Sequence, residues 1–219
     1  MSAVLAIDNL SKSFPAAKDV HAVVDVSLEV AGGEFVALRG PSGCGKSTLL
    51  MAAGGLLEPT SGSVHVDGTD LYSLSQNGRA RFRAKNIGFV FQQFHLIPSL
   101  DVRDNILAAS LATGTGDEER AGELLEHFGL THRAHHVPAA LSTGEKQRTA
   151  MARALFNNPG LILADEPTGN LDRDNAETLL EQLSTFTVDG GAVLLVTHDT
   201  RVEERAARTL AISEGHLVS

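Results

Sequence analysis

Residues 40–48 read GPSGCGKST, and what flanks them decides how they are read. The stretch fits G-x-x-x-x-G-K-[ST], with the apolar run EFVAL at 34–38 ahead of it and the helical pattern TLLMAAGGLL behind it. A strand, a glycine-rich turn and a helix start, in that order, let backbone N–H groups curl around phosphate oxygens. Gly40, Gly43 and Gly45 give the turn its freedom, and Pro41, Ser42, Cys44 and Thr48 complete the cradle. Lys46 brings a cation to the β- and γ-phosphates of a nucleotide, and Ser47 brings a hydroxyl to Mg²⁺. A chance glycine-rich turn would lack these flanks. Cys44 reads as a tolerated small residue: a helix N-terminus favours its thiolate and a bound phosphate opposes it.

The runs IGFVF (87–91), LILA (161–164) and AVLLV (192–196) resemble EFVAL in being short, apolar and without strict alternation, the pattern of strands buried on both faces. Helical patterns separate them. The expected fold is therefore α/β, a mainly parallel sheet with its ligand beyond the carboxyl ends of the strands. VLAIDNL, AVVDVSLEV and GSVHVDG near the start alternate instead and predict an N-terminal antiparallel β layer. From Gln92 to Pro159 strand signals vanish. There Ala121, Leu124, Leu125 and Phe128 fall at helical spacing with Gly129 as terminator, which predicts an inserted α-helical subdomain. DEER at 117–120 reads as its solvated face and TGTGDEE at 113–119 as a flexible tip.

Two strand ends carry polar chemistry. LILADEP ends in Asp165, suited to hold Mg²⁺, and Glu166, suited to orient or deprotonate water. Adjacent residues on an extended strand point to opposite sides, so the two carboxylates are expected to divide the work. VLLVTHD places His198 at the same sheet edge, where a γ-phosphate contact or an orienting hydrogen bond is the better reading than a structural one. HRAHH at 132–136 fits no zinc spacing and is assigned no site.

Composition removes other classes. A formal net charge of −9 argues against a broad nucleic-acid footprint, and a single cysteine excludes a disulfide framework or a multi-cysteine zinc site. The longest apolar stretches are too short to span a bilayer, so a cytoplasmic chain is expected.

LSTGE at 141–145 opens a long helical pattern with Ser142 and Glu145 in capping-box spacing. The same N–H groups that a cap uses can bind an anion. If Ser142 caps the helix, Thr143 is its first residue at ordinary negative φ, Gly144 must stay bare, and the Glu145 carboxylate must point away from any phosphate.

In order along the chain, Phe14, GPSGCGKST, Gln92 in FVFQQF, LSTGE, LILADE, GNLD at 169–172 and His198 make the sequence resemble the ATP-binding cassette (ABC) ATPases over essentially its whole length. The resemblance implies a P-loop, RecA-like core. It implies one ABC ATPase domain, 1–219, with 1–91 and 159–219 as nucleotide-binding core and 92–158 as a helical signature subdomain. It implies an ATPase with ATP and Mg²⁺ as cofactors. Phe14 would stack on the base in place of the commoner Tyr. Gln92 would touch Mg²⁺ and the attacking water, and Asp172 would lie at a dimer contact. His198 would sense the γ-phosphate. Ser142, Gly144 and Glu145 would belong to the signature loop that binds the γ-phosphate of a second molecule. A homodimer, or paired cassette, with ATP at its interface follows.

ADEPTGNLD and the compact chain look like the branch of lipoprotein-releasing, macrolide-efflux and cell-division ATPases. That branch works with separate transmembrane permease subunits, at the inner face of the cell membrane. Phe91, Phe94, Leu96, Ile97 and Leu100 in FQQFHLIPSL are candidates to receive a cytoplasmic helix of the permease. The alternative is a soluble ABC-type clamp of DNA maintenance or of ribosomes. Only 48 residues lie between Gln92 and Leu141, without heptads, and no second cassette is present, which disfavours it. Lys46→Ala should weaken ATP binding and lower turnover by about 10²-fold or more, because water cannot replace a charge-assisted phosphate contact at the same geometry. A steady-state ATPase assay beside nucleotide titration checks this.

Overall fold

The computed structural model describes residues 3–15, 20–114 and 116–218. In chain order the elements are β1 (Ala3–Phe14), β2 (Val20–Ala31), β3 (Phe35–Arg39), α1 (Lys46–Ala53), β4 (Ser61–Val66), β5 (Thr69–Asp70), α2 (Gln76–Asn86) and β6 (Ile87–Phe91). Then follow α3 (Val102–Leu107), α4 (Glu118–His127), α5 (Thr143–Leu155), β7 (Leu161–Asp165), α6 (Arg173–Val188), β8 (Ala192–Thr197), β9 (Arg208–Ser213) and β10 (His216–Val218).

The alternating N-terminal segments form an antiparallel sheet in the order β2-β1-β4-β5, and the continuous apolar runs form a second sheet, β10-β9-β3-β8-β7-β6. In the second sheet β3 pairs parallel with β8 and β9, and β7 pairs parallel with β8 and β6. Register brings the strand ends together: Arg39 lies opposite Thr197, Asp165 opposite Val196, and Phe91 opposite Asp165.

The strands lack polar alternation because both of their faces are buried. Val36, Leu38, Leu161, Leu163, Leu194 and Val196 pack toward α1 and the antiparallel sheet. Their neighbours Phe35, Ala37, Ile162, Ala164, Val193 and Leu195 pack toward the helices that carry Ile106, Leu124, Met151 and Leu179. Each of the Val, Leu, Ile and Phe side chains withdrawn from water contributes about 1.5–3 kcal/mol, and the alanines less. The interior of the sheet is therefore apolar, and polar groups are confined to its edge.

Between β6 and β7 the chain is helical. Ala121, Leu124, Leu125 and Phe128 are buried, and Gly129 turns the chain at φ 63°. DEER is more than a solvated face: the Asp117 side chain caps α4 by accepting from the Arg120 N–H at 3.0 Å, and Glu118 pairs with Arg103. Of the expected flexible tip, Thr115 lies outside the described residues. Among the HRAHH histidines, His135 stands 3.3 Å from Asp101 and His132 3.8 Å from Glu145.

FQQFHLIPSL is bound tightly to the helices. Phe94 and His95 take left-handed φ of 60° and 46°, and the Arg153 guanidinium donates to both of their carbonyls at 2.6 Å. Asn105, fully buried on α3, accepts from the Ile97 N–H at 2.7 Å. Its amide donates to the carbonyls of Ile97 (3.2 Å), Leu100 (3.0 Å) and Asp101 (2.9 Å). Asn105→Leu would strand several of these backbone groups out of water and should cost about 2–4 kcal/mol. Urea unfolding measures the loss, and amide exchange should locate it at residues 97–101.

Candidate nucleotide site

The helices α2 to α6 are each capped by a side chain, from Ser75, Asp101, Asp117, Ser142 and Asp172 in turn. Helix α1 has no side-chain cap and no acidic residue in its first turn. Its orphan N–H groups and positive dipole end are left to an anion. Gly45 at its start has φ 104°, and a Cβ there would stand 1.9 Å from the Ala22 carbonyl oxygen of β2, so no other residue fits. The loop is also tied to the β9–β10 turn, where the Gly215 N–H donates to the Cys44 carbonyl at 3.1 Å. Lys46 is buried, its ammonium donating to the carbonyls of Gly40 (2.8 Å) and Pro41 (3.0 Å).

The Ser47 hydroxyl donates to Asp165 Oδ1 at 3.0 Å, joining the loop to the end of β7. Burial pushes the Asp165 carboxyl above its ordinary 3.8, the Ser47 hydrogen bond pulls it down, and neighbouring Glu166 raises it again. A carboxylate whose charge is disfavoured gains from a cation, and a hydroxyl beside a carboxylate is an oxygen donor set of the kind Mg²⁺ takes.

Glu166 corrects the strand argument. The strand ends at Asp165, and Glu166 takes a left-handed φ of 47°. Its side chain diverges from that of Asp165 by this turn of the backbone and not by strand alternation. Glu166 Oε2 accepts from the Thr197 hydroxyl (3.1 Å) and the His198 backbone N–H (3.2 Å), and lies 2.9 Å from His198 Nδ1. Thr197, fully buried, also accepts from the Asp199 N–H at 2.9 Å, which directs its own proton to Glu166. The Gln92 N–H donates to the Asp165 carbonyl at 2.9 Å, while its side chain lies against Gly169 and 3.5 Å from Asn170 Oδ1.

At the start of α5 the capping box is complete: the Glu145 N–H donates to Ser142 Oγ at 3.2 Å and the Ser142 N–H to Glu145 Oε2 at 2.7 Å. Thr143 is the first helical residue and is not among those with positive φ. Gly144 has a neighbour in its own chain, since a Cβ there would stand 2.4 Å from Asn175 Oδ1. The Asn175 amide in turn donates to both Asp172 oxygens, at 2.9 and 2.8 Å. Phe14 ends β1 with a half-exposed ring, 5.2 Å below the Lys12 ammonium. Its register partner Val20 lies two residues from Ala22, whose carbonyl bounds Gly45.

A sequence model described as ABC transporter matches residues 23–169. The chain belongs to the ABC transporter family. The cassette is 44% identical to the lipoprotein-releasing system ATP-binding protein LolD 1 of Rhodopirellula baltica, over 98% of its own length and 96% of the relative's. It is 40% identical to the uncharacterized ABC transporter ATP-binding protein YknY of Bacillus subtilis, over 98% and 95%. Its fold superposes with a TM-score of 0.91, at 37% identity and over 98% and 97% of the chains, on a dimeric post-hydrolysis state of the ATP-binding cassette MJ0796 bound to ADP and Pi. The cassette is an ATP-binding, ATP-hydrolysing subunit of the transporter class, and the soluble clamp is not favoured. Among the described residues no helix is long and apolar enough to cross a membrane.

Sequence reasoning missed the residues that act through others: Thr197 on Glu166, Asn175 between Gly144 and Asp172, Arg133 on Glu145, and Arg201 on Asp199. The last pair is forked, with Arg201 Nε 2.9 Å from Asp199 Oδ1 and Nη2 2.6 Å from Oδ2. Thr168 donates to the same carboxylate at 3.0 Å. Arg201 above all, and Thr168 with it, hold the Asp199 carboxyl at about 2 against an ordinary 3.8. A folded value below the unfolded one stabilises the fold fully above the unfolded value, and that stability is lost as pH falls through the folded one. Asp199→Asn should therefore lower the urea midpoint at neutral pH and flatten its decline between about pH 4 and pH 2.

Proposed function

We propose that the cassette binds Mg²⁺ and ATP at α1 and the β7 edge, and hydrolyses the nucleotide in a pair of chains that share two ATP molecules. The observation that supports this reading is the Ser47–Asp165 hydrogen bond, which joins an uncapped helix start to a half-buried carboxylate. Phe14 stacks on the base; Gly40, Pro41, Ser42, Gly43, Cys44, Gly45 and Thr48 wrap the phosphates, and Lys46 leaves its carbonyls for the γ-phosphate. Ser47 and Asp165 hold Mg²⁺, with Gln92 completing the set from the end of β6. The ion, when bound, neutralises charge that builds on the phosphates as the bond breaks.

Glu166 is the general base. Its Oε2 is held by Thr197 and His198, which leaves Oε1 to take the proton of water. His198 contacts the γ-phosphate and orients Glu166. Ser142 and Gly144, with the Glu145 carboxylate turned away, offer the α5 start to the γ-phosphate of the partner's nucleotide, with Asp172 at the contact between the chains. Residues 92–158 act as the signature subdomain on a core of 1–91 and 159–219. The dimeric MJ0796 neighbour supports the pair.

The transmembrane permease subunits are separate chains, as the name of the LolD 1 relative suggests for that protein, and they hold the cassette at the inner face of the membrane. A groove of about 390 Å³ beside the Gln92 segment, lined by Phe89, Phe91, His95, Ala108 and Leu111 among others, is where a cytoplasmic helix of the permease docks; of the five apolar residues expected to receive it only Phe91 lines this groove, and Phe94, Leu96, Ile97 and Leu100 do not. Glu166→Gln should keep ATP binding, slow turnover by roughly 10² or more, and accumulate ATP-bound dimers. Size-exclusion chromatography at saturating ATP reads the dimer; a monomer with normal turnover would overturn both roles.

A further inference from the structure

Glu145 places a negative charge in the first turn of the helix that the proposed function offers to a phosphate. Only about 7% of the residue is exposed. One carboxylate oxygen, Oε2, is taken by the Ser142 N–H at 2.7 Å. The other, Oε1, accepts from Arg133 Nε–H at 2.8 Å, with His132 Nε2 at 3.8 Å. Arg133 lies on the turn Thr131–Arg133 between α4 and α5 and is itself held by its N–H donating to the Leu130 carbonyl at 2.8 Å. The Ser142 N–H foremost, and Arg133 with it, keep the carboxyl at about 2 in spite of burial, so the charge is present at every working pH. Without Arg133 the carboxylate, still tied to the Ser142 N–H, would hold its charge uncompensated at the helix start and repel the incoming phosphate.

We propose that Arg133 is a positioning residue for the signature helix: it neutralises and orients Glu145 so that the α5 start can receive the terminal phosphate of a nucleotide held by a second copy of the chain. The inference rests on the composite-site reading above. Arg133 touches no nucleotide, and acts only through Glu145. Its removal therefore spares the binding of ATP to one chain and impairs the meeting of two. A glutamine at 145 carries no charge to neutralise, so in that background Arg133 loses its task.

The full chain is tested with ATP as Arg133→Gln, Arg133→Lys, Glu145→Gln and the double variant Arg133→Gln/Glu145→Gln. Turnover is read without further change, and ATP-dependent pairing in the Glu166→Gln background. Arg133→Gln should leave monomeric ATP affinity and KM within about twofold while lowering kcat and pairing affinity by about tenfold or more, the lower end of the scale for removing one partner of a hydrogen-bonded charge pair, since Arg133 is partly exposed. Arg133→Lys, which keeps the charge, should retain most of both. In the Glu145→Gln background the effect of Arg133→Gln should shrink to about twofold or less, the coupling that a double-mutant cycle isolates. Full kcat and pairing in Arg133→Gln, a loss of ATP affinity equal to the loss of kcat, or a loss undiminished by Glu145→Gln would each overturn the inference. A Glu166→Gln chain that stays monomeric at saturating ATP overturns the composite site as well, whereas one that pairs indifferently to Arg133 overturns this inference alone.

Discussion

Burial of the parallel sheet on both faces is the constraint from which the rest follows. Alternate residues of β3, β7 and β8 enter two separate hydrophobic cores, so no strand interior has room for a charge. Polar groups can appear only where the strands stop. In-register pairing makes them stop together, which brings Arg39, Asp165 and Thr197 to one edge from positions far apart in the chain. The phosphate loop leaves β3 at that same edge. Chemistry is concentrated there because the core excludes it elsewhere.

The helix starts divide into two kinds by the same economy. Most are closed by a side chain of their own, while α1 is left open over the phosphate loop. The start of α5 is an intermediate case: its cap is complete, yet its second residue is a glycine pressed against Asn175. Through Asn175 the start of α5 and the Asp172 cap of α6 are packed as one unit. Displacement of either helix start would disturb the other.

The sequence was most legible where structure is local. Strand positions, the antiparallel layer, the capping box and the ordinary φ of Thr143 could be read because each depends on residues within a few positions of one another. The run EFVAL marked β3 to within one residue. Legibility failed where a partner is distant or a backbone angle is unusual. Asn105 serves a segment eight residues before it, Arg133 serves Glu145 across a turn, and Thr197 meets Glu166 over 31 positions. None of these residues carries a motif. The left-handed Glu166 was hidden for another reason: the chain leaves β7 there just after its last ladder bond, from the Glu166 N–H to the Val196 carbonyl, and no glycine in the sequence marks the turn.

The closeness of Gly45 to Ala22, and of Cys44 to Gly215, has a thermodynamic side. The phosphate loop is clamped between a strand near the beginning of the chain and a turn near its end, so its conformational entropy is surrendered when the domain folds. A nucleotide bound at the proposed site would meet a loop already shaped, and its contacts would appear as affinity with little drawn off to order the backbone. Affinity for the phosphates would then be partly a property of residues that never touch them. A change at Gly215 that loosened the loop, while leaving both cores intact, would register as a weaker ligand and not as a weaker fold.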